Sequence, residues 1–365
     1  MALIYRVFLG FELIQVAILS LLIPKMSILS LIPTRYNFNN TSLKINILLM
    51  FSLSVSLSSA YYANNLPDNF TVIYVFLLFI GFLKGANLSI RNEGTVLLAI
   101  SLFVTVYFAA CTFLAVTTLP EYIFYGQRRV LSPYPFDGVN LIPVTHFSAI
   151  ISILIAALIT TYGSKKYYVT VVCLVVFLSL SVYAQTRTPL YTLLLIQPML
   201  FSRLYFINKA KFKKRAFMIL SLMPLIILIF YLFVAQYDNE SLGRLSKGLE
   251  SPRFELWMQG AKELVSNPFG NDYAVPFAKG EYYGTFHNTF LDFGRRLGII
   301  PAISILCLFI TLIIQSISRR DFCAFVFLIS LLINLTLEPV FESHSIIAIL
   351  LMFVSGYLTR NKKWS

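Results

Sequence analysis

Residues 297–317 read LGIIPAISILCLFITLIIQSI, with no charged side chain, between Arg295-Arg296 on one side and Arg319-Arg320 on the other. About 20 apolar residues is the length an α-helix needs to cross roughly 30 Å of hydrocarbon. The run is apolar all round instead of along one stripe, as expected of a helix whose partners are other helices and lipid. Comparable blocks recur along the chain and place helices near 3–23, 44–63, 70–88, 94–116, 142–162, 167–184, 188–207, 216–236, 297–317, 321–338 and 341–358. The first continues in apolar character past Pro24 to Ile32, as one long kinked helix or a span plus a re-entrant turn.

The composition agrees. Of 365 residues, 58% are hydrophobic and 12% charged, with a mean hydropathy of +0.78. A soluble domain carries about 25% charged residues. A transmembrane barrel would show short alternating segments, and the sequence has none. The expected fold is therefore all-α: a polytopic integral membrane protein of about 11 (10–12) transmembrane helices carrying one long polar loop. Residues 1–236 would form helices 1–8, residues 237–296 the loop with short helices, and residues 297–365 helices 9–11 and a tail. The net charge of +13 does not indicate nucleic acid, because Lys and Arg sit in the short connectors where they set topology. Cys111, Cys173, Cys307 and Cys323 all lie in apolar segments, without metal spacing or a disulfide framework.

Orientation follows from those connectors. Lys209, Lys211, Lys213, Lys214 and Arg215 crowd one of them, and Arg35, Lys44, Arg91, Lys165, Lys166, Arg319, Arg320, Arg360, Lys362 and Lys363 fall on the same side. The opposite short loops, 61–69 and 338–342, hold neither Lys nor Arg. By the positive-inside rule the basic side, with the C-terminal tail, is cytoplasmic. The outer side then receives residues 117–141, the turn 185–188 and the long loop 237–296. A loop of that length usually carries function.

Chemistry requires polar groups, and the outer segments hold them. Arg187, in the turn Gln185-Thr186-Arg187-Thr188-Pro189, has two readings: an interfacial arginine that snorkels, or a guanidinium that grips a phosphate or diphosphate bidentately. Arg253 opens an expected helix with Ser251 as N-cap, Pro252 in the first turn and Pro268 beyond its end. Trp257, Ala261 and Leu264 would share one face of it, and a surface helix docking on a membrane accounts for Trp257. His287-Asn288-Thr289-Phe290-Leu291-Asp292 follows at the re-entry point, with Asn288, Asp292 and Arg295 expected on one helix face and Gly294 and Gly298 permitting close helix approach. The three histidines, His146, His287 and His344, all fall at outer helix ends. Glu338 and Glu342 in the last outer turn need partners, for which the outer arginines are the natural candidates. No phosphate-cradling glycine loop, HExxH, GxSxG or spaced aspartate pair is present, so the expected chemistry uses neither nucleotide donor nor metal. Such an outer site suits a substrate that arrives with its own diphosphate activation, reached laterally from the bilayer.

The order Arg253, Trp257, Asn267-Pro268-Phe269-Gly270, then His287-Asn288-Thr289-Phe290-Leu291 with Gly294 and Gly298, resembles the large outer loop of the O-antigen ligase and polymerase superfamily. Thr186-Arg187-Thr188 resembles that family's Ser/Thr-Arg element, Arg129, Gly138 and Asn140 an earlier outer loop, and Glu338 a carboxylate near the chain end. The Asn267–Gly270 turn has one residue fewer before its glycine than the family pattern. The resemblance implies a glycosyltransferase of the bacterial inner membrane that acts at the periplasmic face on undecaprenyl-diphosphate-linked oligosaccharides, without cofactor, metal or nucleic acid. It implies His287 as general base on the acceptor hydroxyl, with Arg187 and Arg253 on the diphosphate and Arg244, Asn288, Glu338 and Arg129 as further substrate-binding groups. Its implied partners are the lipid bilayer and a chain-length regulator membrane protein. Polymerase activity is the leading expectation. The ligase that transfers the glycan to lipid A–core is the alternative within the family. A lipid-linked glycan transporter or flippase, the rival of another class, should show internal repeats and mid-span polar residues, and neither is seen.

Overall fold

The computed structural model describes residues 69–88, 92–118, 149–183, 188–207, 253–270, 286–338, 340 and 346–359, together with six two-residue strands. Ten helices are present among these residues: α1 (Asn69–Asn87), α2 (Glu93–Thr118), α3 (Ile150–Thr161), α4 (Lys166–Tyr183), α5 (Thr188–Ile207), α6 (Arg253–Ser266), α7 (Thr289–Leu297), α8 (Ile299–Ser318), α9 (Phe322–Leu337) and α10 (Ile346–Thr359). The strands pair as three small antiparallel ladders between helices, 123–124 with 127–128, 130–131 with 141–142, and 275–276 with 282–283. The protein is a helical bundle.

Eight of the described helices fall where the apolar blocks place them, and α6 and α7 are the short helices of the long loop. The blocks near 3–23, 44–63 and 216–236 lie outside the described residues. One boundary differs. The helix expected over 142–162 runs only from Ile150 to Thr161, and Leu141–Ile142 is extended against Val130–Leu131. Pro143 follows directly, and a residue before proline is pushed out of the helical region.

The core centres on α3, whose residues 150–158 are all buried, with α2, α4 and α9 packed around it. Phe108 of α2 and Phe177 of α4 meet there at a centroid distance of 5.2 Å. Asn334, buried in the last turn of apolar α9, ties three helices together: it accepts from Thr192 Oγ1 at 3.3 Å and donates to Ser152 Oγ at 3.4 Å. The outward faces are apolar too. Leu102 and Val106 of α2, Val172 and Val176 of α4, and Ile303, Ile310, Ile314 and Ile317 of α8 are exposed. Among the described residues α8 is the helix long and apolar enough to cross a membrane, with a mean hydropathy of 2.4.

The α1 and α10 pair packs in parallel through glycines. A Cβ on Gly85 would lie 1.9 Å from the Phe353 carbonyl oxygen, and one on Gly356 2.0 Å from that of Phe82. Gly81 and Gly85 stand four residues apart, the small-xxx-small spacing that lets backbones touch.

Candidate active site

Four separated segments meet at one end of the bundle: the start of α5, the start of α6, the loop before α7, and the end of α9. Each begins from local chemistry. The amphipathic helix α6 turns Leu256, Gly260 and Leu264 inward. This differs by one position from the expected Trp257–Ala261–Leu264 face, because Gly260 is where Phe286 and Leu291 press in, within 3.0–3.1 Å of where a Cβ would stand. Leu264 fills the corresponding space over Gly294, where a Cβ would meet it at 2.7 Å.

The turn Asn267-Pro268-Phe269-Gly270 ends α6 and docks on the α7–α8 junction. Gly270 takes φ 78 and abuts the Arg296 carbonyl, and Gly298 takes φ 96 and abuts Pro268. Both φ values lie in the left-handed region that favours glycine. The Ile299 amide donates to the Pro268 carbonyl at 2.8 Å. The Asn-Pro turn, the His-Asn segment and the two downstream glycines, quoted as one pattern in the sequence, are thus one packed unit.

His287 sits in that unit with φ 52, a left-handed conformation uncommon for any residue but glycine, though His, Asn and Asp adopt it more often than most. Asp292, fully buried, holds the residues on either side of it: Oδ1 accepts from the Phe286 amide at 2.6 Å and Oδ2 from the Asn288 amide at 3.1 Å. Asn288 precedes α7 as its N-cap, and its Oδ1 accepts from the Phe290 and Leu291 amides at 3.0 and 3.2 Å. Its oxygen is thereby engaged in capping; Asn288 stands at the helix end one turn before Asp292, and Asn288, Asp292 and Arg295 are all buried.

Glu338, one residue beyond the end of α9 and 2% exposed, is the hub. Its Oε1 accepts from Thr188 Oγ1, the residue that follows Arg187, and from Arg253 Nη2 at 3.5 Å. Arg253 Nη1 donates to the Leu337 carbonyl at 2.9 Å, so the guanidinium is held at two points. The carbonyl of Glu338 accepts from Thr289 Oγ1 at 2.6 Å, and the same hydroxyl accepts from the Val340 amide at 2.9 Å. Thr289 therefore fastens the His287 segment to the Glu338 turn. Glu338 Oε2 is buried with no hydrogen-bond partner among the described residues.

Burial pushes the Glu338 carboxyl up, against the opposing pull of the Arg253 guanidinium and the Thr188 hydroxyl. Burial, reinforced by Arg253, lowers His287 to about 4. The imidazole is therefore neutral at ordinary pH, in the state that accepts a proton.

Of the residues singled out in the sequence, Arg253, His287, Asn288 and Glu338 come together here. Arg187, Arg129 and Arg244 lie outside the described residues, as do His146, Glu342 and His344. Thr188, Thr289 and the clamp made by Asp292 are the additions. Among the described residues no group of three or more His, Cys, Asp or Glu side chains is arranged to hold a metal ion. Comparison with protein-family models, with curated proteins and with solved structures yields no match.

Proposed function

We propose that this chain is a polytopic inner-membrane glycosyltransferase of the O-antigen polymerase kind, joining undecaprenyl-diphosphate-linked oligosaccharide repeat units at the periplasmic face. The observation that carries this reading is the meeting of Thr188, Arg253, His287 and Glu338 from four separated segments at one end of an apolar bundle. The membrane part is supported by outward faces that are as apolar as the core, on α2, α4 and α8. Water-facing helix surfaces would be polar.

In the proposed reaction the neutral His287 imidazole takes the proton of an acceptor sugar hydroxyl. That oxygen attacks the anomeric carbon of the donor, and the bond from this carbon to the diphosphate oxygen breaks. Undecaprenyl diphosphate leaves with the bonding electron pair. Arg253, held in place by Glu338 and the Leu337 carbonyl, faces the growing negative charge, and Arg187, which precedes Thr188 in sequence, is assigned the same role. The electrostatics are self-consistent: a diphosphate beside Arg253 would cancel part of the positive field that lowers His287 and so raise its basicity once substrate is bound.

His287→Ala and Arg253→Ala, expressed in a deletion strain, are expected to abolish long-chain glycan while membrane levels stay normal. Wild-type chain lengths in either variant would remove the assignment. The deletion strain itself separates the related activities: single repeat units on lipid A–core are expected of a lost polymerase, whereas bare core would identify a ligase.

A further inference from the structure

Helix α6 has a second apolar face that packs on nothing among the described residues. Phe254 and Val265 are 72% and 71% exposed, and Met258 and Ala261 between them are exposed as well. At 3.6 residues per turn these four side chains fall within an arc of about 60°, centred about 130° around the axis from the buried Leu256–Gly260–Leu264 line. Glu255, Gln259, Lys262 and Ser266 occupy the remaining arc. The outward stripe does not end with the helix. Phe269, exposed in the following turn, stands beside the start of α8, where the Ile299 amide bonds Pro268. From there Ile300, Ile303, Ile310, Ile314 and Ile317 continue an exposed apolar strip down α8, the helix of membrane-crossing length.

We infer that α6 lies along the outer surface of the bilayer with the Phe254–Met258–Ala261–Val265 stripe among the lipid headgroups and upper acyl chains. The occupant is a lipid surface because the stripe is continuous with the outward flank of α8, and one medium must cover both. Trp257 stands at the border between the packed and outward faces, with its ring partly exposed and its indole Nε1 turned into the protein. The consequence concerns substrate class. Arg253 heads this helix and is fastened to Glu338, so its guanidinium is held at the level of lipid phosphates. A lipid-anchored diphosphate reaches it by sliding within the leaflet, at the right depth and without leaving the membrane, whereas a water-soluble phosphate ester has no such path. This inference rests on the membrane reading above.

The chain contains two tryptophans, Trp257 and Trp364, so Trp364→Phe leaves Trp257 as sole emitter. The full-length variant, reconstituted in phosphatidylcholine–phosphatidylglycerol vesicles, is expected to be quenched more by lipids brominated near the carbonyl than by lipids brominated at mid-chain, and only weakly by aqueous acrylamide. Replacing Phe254, Met258 and Val265 together by Ser is expected to raise acrylamide quenching several-fold. Strong acrylamide quenching of Trp257 with no effect of brominated lipid would overturn the inference. A second protein, Trp257→Phe, Trp364→Phe and Ile310→Trp, separates the two levels. Lipid quenching at position 310 but not at 257 leaves the membrane reading standing and refutes the interfacial helix, and quenching at neither position refutes both.

Discussion

Removing the Asp292 carboxylate should release His287. Asp292 accepts from the Phe286 and Asn288 amides at 2.6 and 3.1 Å, on either side of a residue at φ 52. A hydrogen bond to a charged group contributes about 1.5–3 kcal/mol, and a non-glycine residue in the left-handed region costs about 1–2 kcal/mol. In Asp292→Ala two buried amides lose their acceptor while the strain remains; relief of burying a carboxylate offsets part of the loss. The net local destabilisation should be about 2–4 kcal/mol, equivalent to about 30- to 700-fold faster exchange of those amides at 1.4 kcal/mol per tenfold. Hydrogen–deuterium exchange on peptides spanning 286–297 reads this directly. Asp292→Asn, which keeps one acceptor, should fall between the variant and wild type, and α3 should exchange unchanged in both. Unaltered protection at Phe286 and Asn288 in Asp292→Ala would refute the clamp, and equal acceleration in α3 would show that the whole bundle, not the segment, depends on Asp292.

The strain itself can be isolated: His287→Gly should be about 0.5–1 kcal/mol more stable than His287→Ala in thermal melts, since glycine adopts φ 52 freely, and identical melting of the two would mean no strain is held there. His287 is lowered to about 4, so its neutral form is favoured on folding. The stability this contributes is complete above the usual histidine value of about 6.5 and is lost as pH falls from there towards 4. Correspondingly, the acid limb of kcat/KM should lie near pH 4, and a limb near 6.5 would contradict the burial of the ring. Gly85→Ala should lower the melting temperature through about 1–3 kcal/mol of overpacking, because its Cβ would lie 1.9 Å from the Phe353 carbonyl oxygen; an unchanged melt would show that α1 and α10 are not so closely joined.

The long helices were legible because twenty apolar residues without a charge admit few alternatives; α8 and α9 follow their apolar runs to within two residues. The start of α3 departs from its apolar run, because Pro143 holds Ile142 out of the helical region. Pairing of Glu338 with an outer arginine could be anticipated, since a buried carboxylate needs a partner, but the choice of Arg253 depends on where α6 begins relative to the end of α9. The Asp292 clamp was not legible in that sense, because its partners are backbone amides that carry no residue identity. Asn288 does carry a signal: asparagine just before a helical run is a favoured cap. Likewise the inward face of α6 is set by Phe286 arriving over Gly260, a contact between residues that no local periodicity connects.

The parallel seam between α1 and α10 has a bearing on how the protein is made. These are the first and the last helices described, and a ribosome delivers one long before the other. Until Ile346–Thr359 emerges, none of the other described helices fills the small-residue groove at Gly81 and Gly85. Closing the seam is thus a late event in biogenesis. A chain arrested before α10 would leave the Gly81–Gly85 groove uncovered by any of the other described helices.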